Sequence, residues 1–358
     1  MKRITLCALL VTLFLLLSCG SGTTNMEDPK TTFLTSIANL GKGFLDVFTS
    51  LSDMVAGAFG IKADTKKSDI GNYFTSIEKT MNTVKEKLNT VVAENGKYPK
   101  LKEVVDTFIT GTLDKIAEGA KTAATGAAGN AISEVVKSDA GTSVDATSVN
   151  ALVKGIKQIV DLVIKEGNGQ ADKTTPADDD KKNIGKLFGA ETAVDKGAEE
   201  KHVAAASASI GAVTGADILQ AIAAANADAK KDGKVSEAKD AAALALAKGT
   251  STDNEEKLTT AESKKDAVIA AAIALRAMAK DGKFIVKDTA EKKTEAESAK
   301  GVAASAVGKA LSTLIIAIRN TVDTGLKSIS DALAAVKQGD KSADFTTPAE
   351  AATGSQKQ

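Results

Sequence analysis

Residues 264–287 read KKDAVIAAAIALRAMAKDGKFIVK, and from Ala267 to Leu275 no side chain is polar. A helix that is apolar all round has to be buried all round, and this one falls short of the roughly 20 apolar residues that a membrane span needs. The stretch therefore predicts the central helix of a folded helical protein. Its end is marked in the same residues. Lys280 puts positive charge at the negative end of the helix dipole, and Gly282 suits the left-handed position just past a Schellman-type terminus. Phe284, Ile285 and Val286 then favour a short extended exit.

The composition agrees with a helical reading. The 358-residue chain has no Trp, 2 Tyr and 10 Phe, and it is rich in Ala, Lys, Asp, Thr and Gly. Alanine is the best helix former and adds little bulk, so close-packed helices around a thin core are expected. The fold class that follows is all-α, an elongated helical bundle with Ala-rich helices, polar loops and at most a small β-ribbon. Lys+Arg and Asp+Glu both number 46. That balance gives no electrostatic reason to expect nucleic acid as a partner.

Upstream of the central stretch, several apolar stripes have helical spacing. Phe33, Ile37, Leu40, Phe44, Val47, Leu51, Met54 and Ala58 form a coiled-coil-like seam. Ile70, Phe74, Ile77, Met81, Val84, Leu88 and Val91 form a second, with Ser68 or Asp69 as its cap and Asn95-Gly96 as its stop. Pro99 suits the first turn of a third helix, which carries Leu101, Val104, Val105, Phe108, Ile109, Leu113 and Ile116. Small residues dominate 119–145, where Ile132, Val135 and Val136 suggest one short helix among turns. Val149, Leu152, Val153, Ile156, Ile159, Val160, Val163 and Ile164 restore a strong helix that ends at Gly167-Asn168-Gly169. Residues 167–182, with Pro176 and Asp178-Asp179-Asp180, contain no large apolar side chain and read as a solvated loop or disordered insert.

The middle of the chain holds a weak internal echo. Lys231-Asp232-Gly233-Lys234-Val235 repeats the ending Lys280-Asp281-Gly282-Lys283-Phe284, and two such exits could pair as the β-ribbon. Residues 250–256 form a further polar excursion. A last long helix begins near Thr289, with Val307, Leu311, Leu314, Ile318, Val322, Leu326, Ile329, Leu333 and Val336 in a period that matches the first two seams. It is expected to pack with them.

Enzyme chemistry needs a constellation, and the sequence offers none. The single histidine, His202, has no second His or Cys for a metal and no Ser or Cys at a readable spacing, so a solvent-facing or edge position is expected. Gly41-Lys42 and Gly308-Lys309 lack the upstream glycine of a phosphate loop. Asp178-Asp179-Asp180 lacks the alternation and closing Glu of a calcium loop. The expectation is a non-enzyme without cofactor or metal.

The N-terminus is explicit. Lys2 and Arg3 precede a mostly apolar run from Ile4 to Leu17, followed by Ser18-Cys19-Gly20. A charged start, an apolar stretch of this length and a small residue before the cut make a secretory signal. A cysteine just after the cut resembles a bacterial lipoprotein signal, with cleavage between Ser18 and Cys19. The Cys19 thiol would take an S-diacylglycerol and its freed amine an N-acyl chain. Cys7 leaves with the signal, so no disulfide is available to the mature chain. At about 0.8 kcal/mol per buried methylene, two acyl chains already anchor stably. The layout expected is a signal peptide over 1–18, a lipidated cysteine and flexible tether over 19–30, one helical domain over 31–338 and a polar tail over 339–358.

The block Lys264-Lys265-Asp266, Ile269-Ala270-Ala271-Ala272 and Leu275-Arg276-Ala277-Met278-Ala279-Lys280-Asp281-Gly282-Lys283-Phe284 closely resembles a signature segment of one family. These are the variable large proteins of relapsing-fever Borrelia spirochaetes and the related variable surface lipoprotein of the Lyme spirochaete. The lipoprotein signal and the helical layout fit the same family across most of the chain. The resemblance implies a helical lipoprotein of the bacterial cell outer membrane, exposed on the surface and met there by host antibodies, with switching between family members evading the antibody response. It brings no catalytic or ligand residues and leaves homodimerisation open. The rival reading is a host-ligand-binding adhesin. A dedicated binder would be expected to show an aromatic or arginine hot spot, which this composition does not offer.

Overall fold

The computed structural model describes residues 35, 61–94, 99–137, 143–175, 178–190, 196–249, 255–288 and 294–335. The expected signal peptide, Cys19, the tether, every residue of the first seam, and the C-terminal tail lie outside the described residues.

The described residues are mostly helical. In order the helices are α1 (Lys67–Glu94), α2 (Pro99–Phe108), α3 (Asp114–Gly126), α4 (Ala146–Val163), α5 (Asp178–Asn183), α6 (Glu200–Ala212), α7 (Gly215–Ala224), α8 (Ala241–Ala245), α9 (Asp266–Met278) and α10 (Thr294–Ala335). A π-helical turn, Ile109–Leu113, joins α2 to α3, and 3-10 turns occupy Ile184–Leu187 and Val235–Glu237. Two three-residue strands, β1 (Val135–Lys137) and β2 (Phe284–Val286), complete the described elements.

The predicted stripes become the core. Ile70, Phe74, Ile77, Met81, Val84 and Leu88 of α1 are buried, as are Leu101, Val105, Phe108, Leu113 and Ile116. At the start of α1, Asp69 Oδ2 accepts a hydrogen bond from Lys66 N at 3.1 Å, so the helix opens slightly earlier than its predicted cap. α1, α3 and α4 pack side by side. The α3–α4 crossing is close because glycines face each other there: a Cβ on Gly155 would overlap the backbone of Gly119 and Ala123. The residues from Gly119 to Gly126, which the sequence left among turns, are the second half of α3.

Every residue of α9 is buried. It lies among α6, α7, α8 and α10 and also meets α4 and α1, which is the central position its sequence required. α10 has 42 residues, about 63 Å at 1.5 Å per residue. Thr294–Ala332 is long and apolar enough to cross a membrane. Val307, Leu311, Leu314, Ile318 and Val322 are nevertheless buried in the fold, against α2, α6, α7 and α9, as in a core helix. Its expected packing against the first seam falls outside the described residues; with α1 it shares a hydrogen bond from the Tyr73 hydroxyl to Leu311 O at 3.2 Å.

The small sheet differs from the one predicted. β2 pairs in parallel with β1, Val135 opposite Phe284 and Lys137 opposite Val286. The other Lys-Asp-Gly-Lys exit turns into the 3-10 segment Val235–Glu237. Val135 and Val136, expected in a short helix, are thus strand residues, because β-branched side chains fit a pleated edge better than a helix without neighbours three and four residues away. Gly282 also works otherwise than expected. The left-handed residue is Asp281, with φ 61°, and glycine is needed at 282 because the Arg276 carbonyl lies against its Cα, where any Cβ would overlap it.

Candidate functional site

The two charged residues within α9, Asp266 in its first turn and Arg276 in its last, each organise a buried polar cluster. Asp266 is fully buried. Its Oδ2 accepts from the backbone amides of Lys173 and Thr174 at 2.6 and 2.7 Å. Its Oδ1 accepts from Thr174 Oγ1 at 2.7 Å and Ser209 Oγ at 2.8 Å, and Lys181 Nζ lies 2.9 Å away. Burial raises the affinity of this carboxyl for its proton, but the converging donors outweigh burial and hold its pKa below the usual carboxylate range. A negative charge at a helix N-terminus also meets the positive end of the dipole.

Asp217 extends the cluster from the first turn of α7. It forms a capping box with Thr214, accepts from Asn168 N at 2.7 Å and pairs with Lys173 Nζ at 3.1 Å. Burial works against its ionisation, yet the hydrogen bonds from Thr214, Asn168 and Lys173 bring its pKa down to about 2. Lys181, itself buried, also donates to Asp172 Oδ1 at 2.6 Å. The segment 167–182, expected as a solvated loop or disordered insert, is therefore tied down wherever it is described, and Asp178-Asp179-Asp180 opens the short helix α5. Polar side chains hold it where apolar ones are missing.

At the other end of α9 the guanidinium of Arg276 is fully buried. It donates to three main-chain carbonyls, those of Lys283 at 2.6 Å and of Ala245 and Ala247 at 2.9 Å, and lies 5.9 Å from the centre of the Phe188 ring. Burial lowers its pKa to about 9, which leaves it charged at neutral pH. Lys67 enters from the first residue of α1. Its Nζ donates to Ala277 O at 2.8 Å and Gly282 O at 2.9 Å, so two carbonyls at the end of α9 that lack helical donors receive one from a distant helix. Burial is the main cause that brings the Lys67 pKa down to about 8.

His202 is a correction. It is buried, not solvent-facing, with only 2% of its surface exposed. Its Nδ1 accepts from Glu199 N at 3.1 Å, half of the capping box that starts α6. Burial, reinforced by the positive charge of Lys186, brings its pKa down to about 4. Glu256, at the end of the stretch expected as a polar excursion, is buried and pairs with Lys186 at 3.0 Å. Lys309 of the Gly308-Lys309 pair caps the end of α6 by donating to Ile210 O at 2.8 Å.

These groups hold helix ends. The carboxylates of Asp266 and Asp217 spend their lone pairs on internal donors. No group of three or more His, Cys, Asp or Glu side chains placed to hold a metal occurs among the described residues. An open groove of about 340 Å³ between α6 and α10 is lined by small and aliphatic side chains such as Val203, Ala204, Ser207 and Ser305. The signal for the polar clusters was in the sequence as Asp266 and Arg276 flanking an apolar run, but their partners lie far away in the chain.

The sequence profile of the Borrelia lipoprotein family matches residues 44–333. Variable large protein 4 of Borrelia hermsii is 57% identical over 355 residues, covering 98% of each chain. The chain belongs to this family of Borrelia lipoproteins. Another family relative, variable large protein 17 of Borrelia hermsii, is 56% identical over 359 residues, covering 99% of this chain and 98% of the relative. The crystal structure of the Lyme disease variable surface antigen VlsE of Borrelia burgdorferi superposes with a TM-score of 0.66 at 38% identity, covering 84% of this chain and 99% of that one. The lipoprotein-family match takes in α1 to α9 whole and nearly all of α10, so both polar clusters belong to the matched region.

Proposed function

We propose that this lipoprotein is a displayed variable antigen, anchored in the spirochaete outer membrane through acyl chains on Cys19 and exchanged for other family members to escape host antibody. The observation that carries the reading is the family match along nearly the whole chain, to relatives named as variable large proteins and a variable surface antigen.

The fold suits that task. Ends of several connections gather where α9 finishes: Lys137 pairs with Asp288 at 3.8 Å, Ser143 bonds Asp232, Gly197 lies against Val286, and Gly249 against Ala190. Loops there can change without disturbing the helices, since loops tolerate substitution and carry exposed identity. The far ends of α1 and α10 are joined through α2, where Phe108 lies against Gly325. On this reading residues 31–338 are one surface domain whose connections point away from the membrane.

Protease added to intact cells tests the display. Full-length protein should be lost from the cells while a periplasmic control survives, and Cys19→Ala should leave the membrane fraction or remain unprocessed. Survival of the protein on intact cells would overturn the reading.

A further inference from the structure

The sequence contains two Asp-Gly dipeptides, Asp232-Gly233 and Asp281-Gly282, and both aspartates adopt the same left-handed conformation, φ 61°. Both aspartates are exposed, but the surroundings of the two glycines differ. Gly282 is buried, its amide donates to Ala279 O at 3.1 Å, its carbonyl accepts from Lys67 Nζ, and the Arg276 carbonyl presses on its Cα. Asp232 and Gly233 are both exposed, and nothing lies within 4 Å of where a Gly233 Cβ would sit. Among the described residues the Gly233 amide donates no hydrogen bond. The flanks are held, with Asp232 N donating to Leu246 O at 3.2 Å and Lys248 N to Gly233 O at 3.0 Å, so the peptide between the two residues is free while its neighbours are fixed. Ser143 Oγ lies 2.6 Å from Asp232 Oδ1.

We propose that Asp232-Gly233 is a site of spontaneous isoaspartate formation, and that packing protects Asp281-Gly282 from the same reaction. The Gly233 amide nitrogen loses its proton and attacks Asp232 Cγ, and a carboxyl oxygen leaves as water, closing a five-membered succinimide. One water then opens the ring. Breaking the bond from nitrogen to Cγ restores aspartate. Breaking the bond from nitrogen to the main-chain carbonyl carbon leaves the chain running through the side chain, with the former main-chain carboxylate projecting. No oxidant, cofactor or net change of mass is involved. A non-glycine residue in the left-handed region carries a conformational cost, which the rerouted chain at 232 no longer bears. The product lengthens the main chain by one carbon between α7 and α8, so the exposed surface there alters as the molecule ages. This inference does not depend on how the protein is used.

The test incubates the full lipidated chain in detergent at physiological pH and temperature. Isoaspartate is read by methyl transfer from S-adenosylmethionine with an isoaspartyl methyltransferase and located by peptide mapping. In the folded protein, position 232 should accumulate isoaspartate at least about fivefold faster than 281, because reaction at 281 first requires local opening. In the urea-unfolded chain the two rates should converge. Asp232→Glu, which cannot close a five-membered ring, should remove the mapped signal at 232 only. Equal rates at both sites in the folded protein, or no isoaspartate at 232 above that of aspartates not followed by glycine, would overturn the proposal.

Discussion

The ammonium of Lys181 lies 2.9 Å from Asp266 Oδ1, joining a segment without large apolar side chains to the first turn of the most buried helix in the described structure. Four other donors share that carboxylate. Asp266→Asn keeps the size but sets an amide donor against groups that already donate, and it leaves Lys181 without this partner. Removing one member of a buried pair costs about 3 to 5 kcal/mol. Lys181→Met should cost less, since Asp266 keeps its other donors. Urea unfolding of both variants, measured beside the exposed Lys327→Gln, checks the order. Indistinguishable midpoints for Asp266→Asn and Lys327→Gln would show that residues 167–182 are not held by this cluster.

His202 predicts an acid limb. Its folded pKa, about 4, lies below the ordinary 6.5, so between those values the unfolded chain binds the extra proton. Stability contributed by neutral His202 is therefore complete above about pH 6.5 and lost as pH falls towards 4, by up to about 3 kcal/mol. His202→Asn retains an acceptor for the Glu199 amide and does not titrate. It should flatten the slope of unfolding free energy against pH in that window, and an unchanged slope would assign the acid limb to other groups. Below about pH 4 the depressed carboxyl of Asp217 adds a separate loss.

Lys67 predicts the opposite limb. Its folded pKa of about 8 lies below the ordinary 10.5, so above pH 8 the folded protein releases a proton that the unfolded chain keeps. Stability should rise between about pH 8 and 10, by as much as about 2 to 3 kcal/mol. Above about pH 9 the buried Arg276, its pKa lowered to about 9, adds a rise of the same sign, and beyond pH 10 the buried Tyr73, whose pKa is pushed far up by burial, opposes it, because only the unfolded phenol ionises readily. Lys67→Met should remove the rise between about pH 8 and 9 and leave the part that Arg276 contributes above it. It should also lower stability at neutral pH if the bonds to Ala277 and Gly282 outweigh the burial of charge, which thermal unfolding at pH 7 and 9 would separate.

The helices were legible because each long one carries an apolar stripe whose spacing survives any arrangement of neighbours: Ile70 to Leu88, Val149 to Val163 and Val307 to Ile329 are all buried as their periods require. Ala267 to Leu275 announced a helix with no exposed face, and α9 has none. What stayed hidden depends on partners remote in sequence. Lys67 and Gly282 are 215 residues apart, and Thr174 and Asp266 are 92 apart. No local pattern marks a lysine that will cap another helix, or a polar loop that will wrap a carboxylate. The β pairing is hidden for the same reason: two similar Lys-Asp-Gly-Lys exits invite pairing with each other, but β2 meets Val135–Lys137 instead.

The glycines give a final contrast that separates packing from helix propensity. Gly155 in α4 faces Gly119 and Ala123 of α3 so closely that a methyl group would overlap main-chain atoms of both. Backbone cannot swing aside as a side-chain tip can, so Gly155→Ala must push α3 and α4 apart and should cost about 1 to 3 kcal/mol despite alanine's better helix propensity. Gly301, exposed in α10, meets nothing within 4 Å of a Cβ position. Gly301→Ala should instead stabilise by about 0.4 to 1 kcal/mol, since the unfolded chain loses freedom and no contact is disturbed. Thermal melts of the two variants should shift in opposite directions. A shift of the same sign for both would show that the α3–α4 crossing is looser than the facing glycines require, and that Gly155 is not what brings those helices together.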